Sequence, residues 1–96
     1  MNPGMLNKLK KMQKEMMEAQ EAIEQKEYFG KASGVTIIMQ GTRQVIDVKI
    51  NPEMLEEVEM LQDAILLATN DALKQIEKES EETMKQFSGG LGGFGF

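Results

Sequence analysis

Val35-Thr36-Ile37-Ile38-Met39-Gln40-Gly41-Thr42-Arg43-Gln44-Val45-Ile46-Asp47-Val48-Lys49-Ile50 is the stretch on which the fold of this chain turns. Val35, Ile37 and Met39 alternate with other residues, and Ile46, Val48 and Ile50 do the same after a break at Gly41-Thr42. A period of two is that of a strand with one buried face. A two-residue turn with Gly41 first predicts Gln40 opposite Arg43, Ile38 opposite Val45, Ile37 opposite Ile46 and Val35 opposite Val48. That register makes one face of the hairpin apolar. The other face carries Thr36 opposite Asp47, has Ile38 and Val45 as its only apolar pair, and is largely wet. A helix is needed to cover the apolar face. Glu27 to Ala32, with Tyr28 and Phe29, adds a third strand before a turn at Ser33-Gly34, Gly30 being its weakest position.

On both sides of this hairpin the apolar period lengthens to that of a helix. Upstream, Asn2-Pro3 supplies a cap acceptor and a proline at the first helical position. Met5, Leu9, Met12, Met16, Ala19 and Ile23 then follow at intervals of 4, 3, 4, 3 and 4. This narrow heptad seam suits packing against another long helix. The predicted helix 3–25 is about 35 Å long.

Downstream, Asn51-Pro52-Glu53 repeats the cap signal, and Met54, Val58, Leu61, Ile65, Ala68, Ala72 and Ile76 carry a second stripe, with Leu66, Thr69 and Leu73 beside it. A helix over 52–87 extends about 50 Å, whereas a compact chain of this length has a radius of gyration of about 12 to 13 Å. Even if broken near Glu56 to Glu59, it outruns one small sheet. A homodimer is the economical way to cover it. Residues 1–87 form one domain, and the glycine-rich stretch 88–96 reads as a flexible tail. Docking of Leu91, Phe94 and Phe96 on a partner is the alternative for the tail.

Composition narrows the function. The 96 residues allow a single domain with a small core that a partner surface can complete. No Cys and no His are present, and there is one Tyr, so the usual nucleophiles, general bases and transition-metal ligands are missing. We therefore expect no enzyme, metal site, cofactor or small-molecule substrate. No stretch reaches the ~18 apolar residues of a membrane span, and the start lacks a signal-peptide run, which points to the cytoplasm.

The net charge is −5, but phosphates respond to the local field rather than to the average. Lys8, Lys10, Lys11 and Lys14 crowd the first turns of helix one before Glu15, Glu18, Glu21 and Glu24 reverse the sign. Flexible ammonium groups of this kind suit phosphate contact without base reading. The plainer alternative is a solvated face with pairs such as Lys11 to Glu15 and Lys14 to Glu18. Lys74, Lys78 and Lys85 form a second set, diluted by Glu77, Glu79, Glu81 and Glu82. Glu53, Glu56, Glu57 and Glu59 point to different sides of a helix and lack calcium-loop spacing; compensation of the helix dipole accounts for the first three. The chain has nine methionines, and Met5, Met12 and Met16 among them fall on the seam as core or dimer contacts rather than as a pliable groove. No aromatic residue interleaves the lysines, so duplex backbone is a better target than stacked single strands.

Ile50-Asn51-Pro52-Glu53-Met54-Leu55, then Glu59-Met60-Leu61-Gln62-Asp63, then Asn70-Asp71-Ala72 resemble in order and spacing the motifs of the YbaB/EbfC family of bacterial nucleoid-associated proteins. The likeness extends to the Met/Gln/Lys-rich first helix, the strand ending at Gly41 and Ser88-Gly89-Gly90. Asn51 and Gln62 stand where the family usually has acids, the Ser33-Gly34 turn is shorter, and the chain is acidic overall. The resemblance implies an α+β, α-β-β-β-α protomer, a tweezer-like homodimer with projecting helices, and binding of double-stranded DNA in the nucleoid with little sequence preference. Effects on gene expression, recombination or repair would follow from such coating. The rival reading is a protein-interaction or chaperone-like module, since helix, hairpin, helix is also the order in prefoldin-like subunits. Asn70 and Asp71 are read as structural, through a cap or an interhelical hydrogen bond.

Overall fold

In a computed structural model, which describes residues 2–90, the element order is α1 (Pro3–Gln25), β1 (Glu27–Ala32), β2 (Val35–Gln40), β3 (Gln44–Ile50), a 3-10 turn (Pro52–Glu56) and α2 (Val58–Gly90). The three strands form one antiparallel sheet in the order β1-β2-β3. The fold is thus α-β-β-β-α.

Local sequence explains where the elements begin. Asn2 caps α1 by accepting the Met5 N–H at 2.7 Å, with Pro3 just inside the helix. Asn51 does the same for Glu53 at 3.1 Å, yet Pro52–Glu56 closes only into a 3-10 turn. The chain leaves the helical conformation at Glu57, and α2 starts at Val58, so the helix predicted from 52 divides where the acidic run 56–59 lies. Its far end continues to Gly90, past the predicted 87. Residues 91–96 of the expected tail lie outside the described residues.

The hairpin corrects the predicted register. Its loop has three residues, not two: Arg43 takes a φ of 70° and donates its N–H to the Gln40 carbonyl at 2.8 Å. Gln40 faces Gln44 and Met39 faces Val45; then Ile46 bulges out, so that Ile38 faces Asp47, Ile37 faces Val48 and Val35 faces Ile50. The reason lies at Gly41. Its N–H donates to the Lys26 carbonyl at 2.9 Å, and a Cβ there would overlap the Ile23 carbonyl oxygen. Gly41 is therefore held under the last turn of α1, and the left-handed residue of the loop falls to Arg43. Loop and bulge shift the partners of Ile37 and Val35 by two positions, an even number, so Val48 and Ile50 keep the predicted face, whereas Val45 crosses to it opposite Met39 and Ile46 leaves the ladder.

The core lies between α2 and the first two strands. Val35, Ile37 and Met39 are buried against Ala64, Ala68, Ala72 and Ile76, joined by Tyr28 and by Ile23 from α1. The alanines recur every four residues and let the helix settle low on the sheet. Gly30 completes this approach, because a Cβ at that position would overlap the Ala68 carbonyl oxygen and the Ala72 nitrogen. The residue that weakened β1 as a strand is the one that admits the helix. Two expectations fail here: Ile38, assigned to the wet face, is buried, and every residue of β3 is exposed. The helix covers two strands and leaves the third bare.

The molecule is long rather than round. Its principal extents are 67 × 23 × 11 Å and its radius of gyration is 19.1 Å, against about 12 to 13 Å for a compact chain of this size.

Candidate nucleic-acid interface

The four lysines of α1 lie on the exposed part of its circumference. Leu9, Met12, Met16 and Ala19 are half-buried along the seam that ends at buried Ile23, whereas Lys8, Lys10, Lys11 and Lys14 are all exposed. At 100° per residue they fall on the flanks and back of the helix, away from the seam. Lys10 and Lys14 line a shallow hollow of about 430 Å³ with Gln13, Met17, Glu18 and Glu21.

The charge of α1 runs against its own dipole. Its first turn has no acid and its last turn no base, while the lysines crowd the positive end and the glutamates follow toward the negative end. Of these residues only Glu24 lies within a terminal turn, where such a placement costs an isolated helix a few tenths of a kcal/mol. The N-terminal half of α1, as far as Lys14 at its middle, thus carries the positive charge and the C-terminal half the negative. The plainer alternative is met only in part: Lys14 lies 4.0 Å from Glu18, both side chains exposed, and this is the one ion pair within α1 among the described residues.

Lys74, Lys78 and Lys85 are also exposed, on one flank of α2. Lys78 borders a hollow of about 470 Å³ with Lys26, Tyr28, Gln75 and Glu79, and Lys74 borders another with Leu67, Asn70 and Asp71. Neither hollow contains a lysine of α1. The helix tip also shows Met5 and Leu6, each nearly half exposed, beside the lysines.

A polar row on α2 was not legible in the sequence. Asp71, Gln75 and Glu79, four residues apart, stand over the outer edge of β1. The Lys31 N–H donates to Asp71 Oδ2 at 3.0 Å, and Gln75 Nε2 donates to the Phe29 carbonyl at 2.8 Å. Glu79 accepts the Tyr28 hydroxyl and pairs with Lys26 Nζ at 3.2 Å, which in turn lies 5.3 Å from the Tyr28 ring centre. The Tyr28 phenol is pushed far up, by burial first and then by Glu79. Glu79 is held below its ordinary value, chiefly by the Tyr28 hydrogen bond and then by Lys26, against some desolvation. Asp71 thus bonds helix to strand, where the sequence reading had a cap or an interhelical bond. Its partner could not be found from spacing, because 40 residues separate it from Lys31.

The sheet adds two bases that were not singled out. Lys31 and Lys49 both face Thr36 across the strands, one on each side. No three His, Cys, Asp or Glu side chains among the described residues group so as to hold a metal ion. No helix among them is long and apolar enough to cross a membrane.

Comparison with known proteins gives a consistent answer. The YbaB/EbfC DNA-binding family matches residues 1–91. A nucleoid-associated protein of Enterococcus faecalis is 44% identical over 95% of this chain and 91% of its own length. One of Legionella pneumophila is 42% identical over 92% of this chain and 81% of its own. The crystal structure of the uncharacterized protein HP0035 from Helicobacter pylori superposes with a TM-score of 0.73, covering 90% of this chain and 96% of that one, at 24% identity. That last likeness concerns the fold alone.

Proposed function

The chain belongs to the YbaB/EbfC DNA-binding family, whose members are DNA-binding rather than catalytic, and from that premise we propose that it is a nucleoid-associated protein that coats duplex DNA as a homodimer. Lys8, Lys10, Lys11 and Lys14 meet backbone phosphates, and Lys74, Lys78 and Lys85 assist. The observation that carries this reading is the N-terminal half of α1, which presents four exposed lysines and no acid before Glu15. Contacts to phosphate are indifferent to base sequence, and their strength falls steeply with salt.

The test is fluorescence anisotropy with two unrelated duplexes. Two protomers with four phosphate contacts each should lose about 10⁴-fold in affinity between 50 and 200 mM salt, equally for both sequences. Replacing Lys8, Lys10, Lys11 and Lys14 by Glu should abolish binding and leave the oligomeric state unchanged. Retained affinity in that variant moves the contact elsewhere. Absence of binding at both salt concentrations favours a protein partner, for which Met5 and Leu6 at the tip are the natural contacts.

A further inference from the structure

We propose that the face of the sheet turned away from α2 is a stacking platform for single-stranded nucleic acid, with Phe29 taking an unpaired base and Lys31 and Lys49 the adjoining phosphates. This activity is separate from the duplex contact assigned to α1.

The alternation of the strands defines the face. Tyr28, Gly30 and Ala32 of β1 point toward α2, so Phe29 and Lys31 point away from it. Phe29 stands opposite Ile38, and Ile38 opposite Asp47; one row further, Lys31 stands opposite Thr36, and Thr36 opposite Lys49. Both helices pack on the other side, through Ile23 and the alanine row. Phe29, Lys31, Asp47 and Lys49 are all exposed, and the face is open.

Hydrogen bonding fixes the ring in place. The Lys31 N–H and the Phe29 carbonyl point outward, to Asp71 and Gln75. Phe29–Ile38 and Lys31–Thr36 are therefore the non-hydrogen-bonded pairs of the β1–β2 ladder, in which side chains approach most closely. The close pairing seats Phe29 against Ile38, which is 7% exposed on a face without a covering helix, while Phe29 itself is left 45% exposed. Asp71 and Gln75 hold the strand that carries Phe29 and Lys31, which lowers the ordering cost of binding there.

The chemistry of this face suits an unpaired strand. Every base has a π face, and a ring held with one side open stacks it without regard to sequence. In a duplex the bases are stacked on one another and closed to such a ring. Lys31 lies about 6.5 Å along β1 from Phe29, and Lys49 about 10 Å across the sheet from Lys31, so their flexible stems reach the phosphates beside a base seated on Phe29. Neither lysine enters an ion pair among the described residues. Of the two acids on the face, Asp47 is turned back onto the Val48 N–H at 2.8 Å, and Glu27 stands on the far side of Phe29 from Lys31, which leaves the lysine row positive. The lysines of α1 have no aromatic residue among them; strand pairing brings one beside two lysines here.

The chain contains no Trp, so Phe29→Trp installs a single fluorescent reporter on the platform. Its emission should be quenched by oligo(dT) and oligo(U) of about twelve nucleotides at low salt, and not by duplex DNA. In anisotropy titrations, Phe29→Ala should weaken oligonucleotide binding about tenfold or more and leave duplex affinity unchanged, whereas Phe29→Tyr, which keeps a ring, should retain both. Lys49→Ala should lower the slope of log affinity against log salt for the oligonucleotide by about 0.7. A preference for oligo(U) marks RNA, through the 2′-hydroxyl, and equal binding marks a platform indifferent to the sugar. Circular dichroism checks folding; if Phe29→Ala does not fold, the quenching decides. Unquenched emission in Phe29→Trp overturns the platform, as does an equal loss of duplex and oligonucleotide affinity in a folded Phe29→Ala.

Discussion

Tyr28 and Glu79 show how much one residue depends on a distant partner. The phenol is buried and its hydroxyl reaches a carboxylate that Lys26 also holds. Glu79 titrates below its ordinary value of 4.5 in the folded chain. A lowered carboxylate stabilises the fold above its unfolded value, and that contribution fades as pH falls through the lower folded one. Glu79→Gln should therefore flatten the acid limb of a thermal-stability profile below about pH 5. Tyr28→Phe should cost about 1 to 2 kcal/mol at neutral pH in a denaturant titration. Gly30→Ala is the severe change, because its methyl has nowhere to go but into the backbone of α2. We expect at least about 3 kcal/mol, seen as a drop in the denaturation midpoint.

At the scale of elements, α2 has two jobs set by neighbouring rows of its surface. Its alanine row packs on β1 and β2, and the Asp71–Gln75–Glu79 row beside it occupies the β1 edge. Asp71→Ala should free the Lys31 N–H while leaving the alanine row in place. Faster amide exchange at Lys31 and increased concentration-dependent self-association are the expected results; unchanged exchange would sink this account of Asp71. Helix α1 is the opposite kind of element. Only Ile23 of its side chains is buried, so its lysines can be changed with little effect on the core.

For the whole molecule, affinity for DNA is tied to the number of protomers. A dimer that neutralises about eight phosphates should show a slope of about −7 in log affinity against log salt, and a monomer with four about half of that. An unchanged slope in a monomeric variant would mean that one protomer supplies all the phosphate contacts. The elongated shape, with a radius of gyration of 19.1 Å, is consistent with lysines carried well away from the sheet.

Sequence alone determined the order of elements, the start of α1, the strand faces of Val35, Ile37 and Met39, and the lysine cluster of α1. All are local properties: a cap three residues from the N–H it accepts, a period of two or of three and a half, a run of like charge. It also carried the motifs by which the family was recognised. Tertiary structure decided the rest. Gly41 held beneath α1 changed the loop and hence the register, and Gly30 proved to be the seat of α2 rather than a flaw in β1. Asp71 found its partner 40 residues away, and β3 was left bare because one helix is too narrow to cover three strands. Such outcomes depend on which surfaces meet, and no periodicity within a segment records the element that will lie across it.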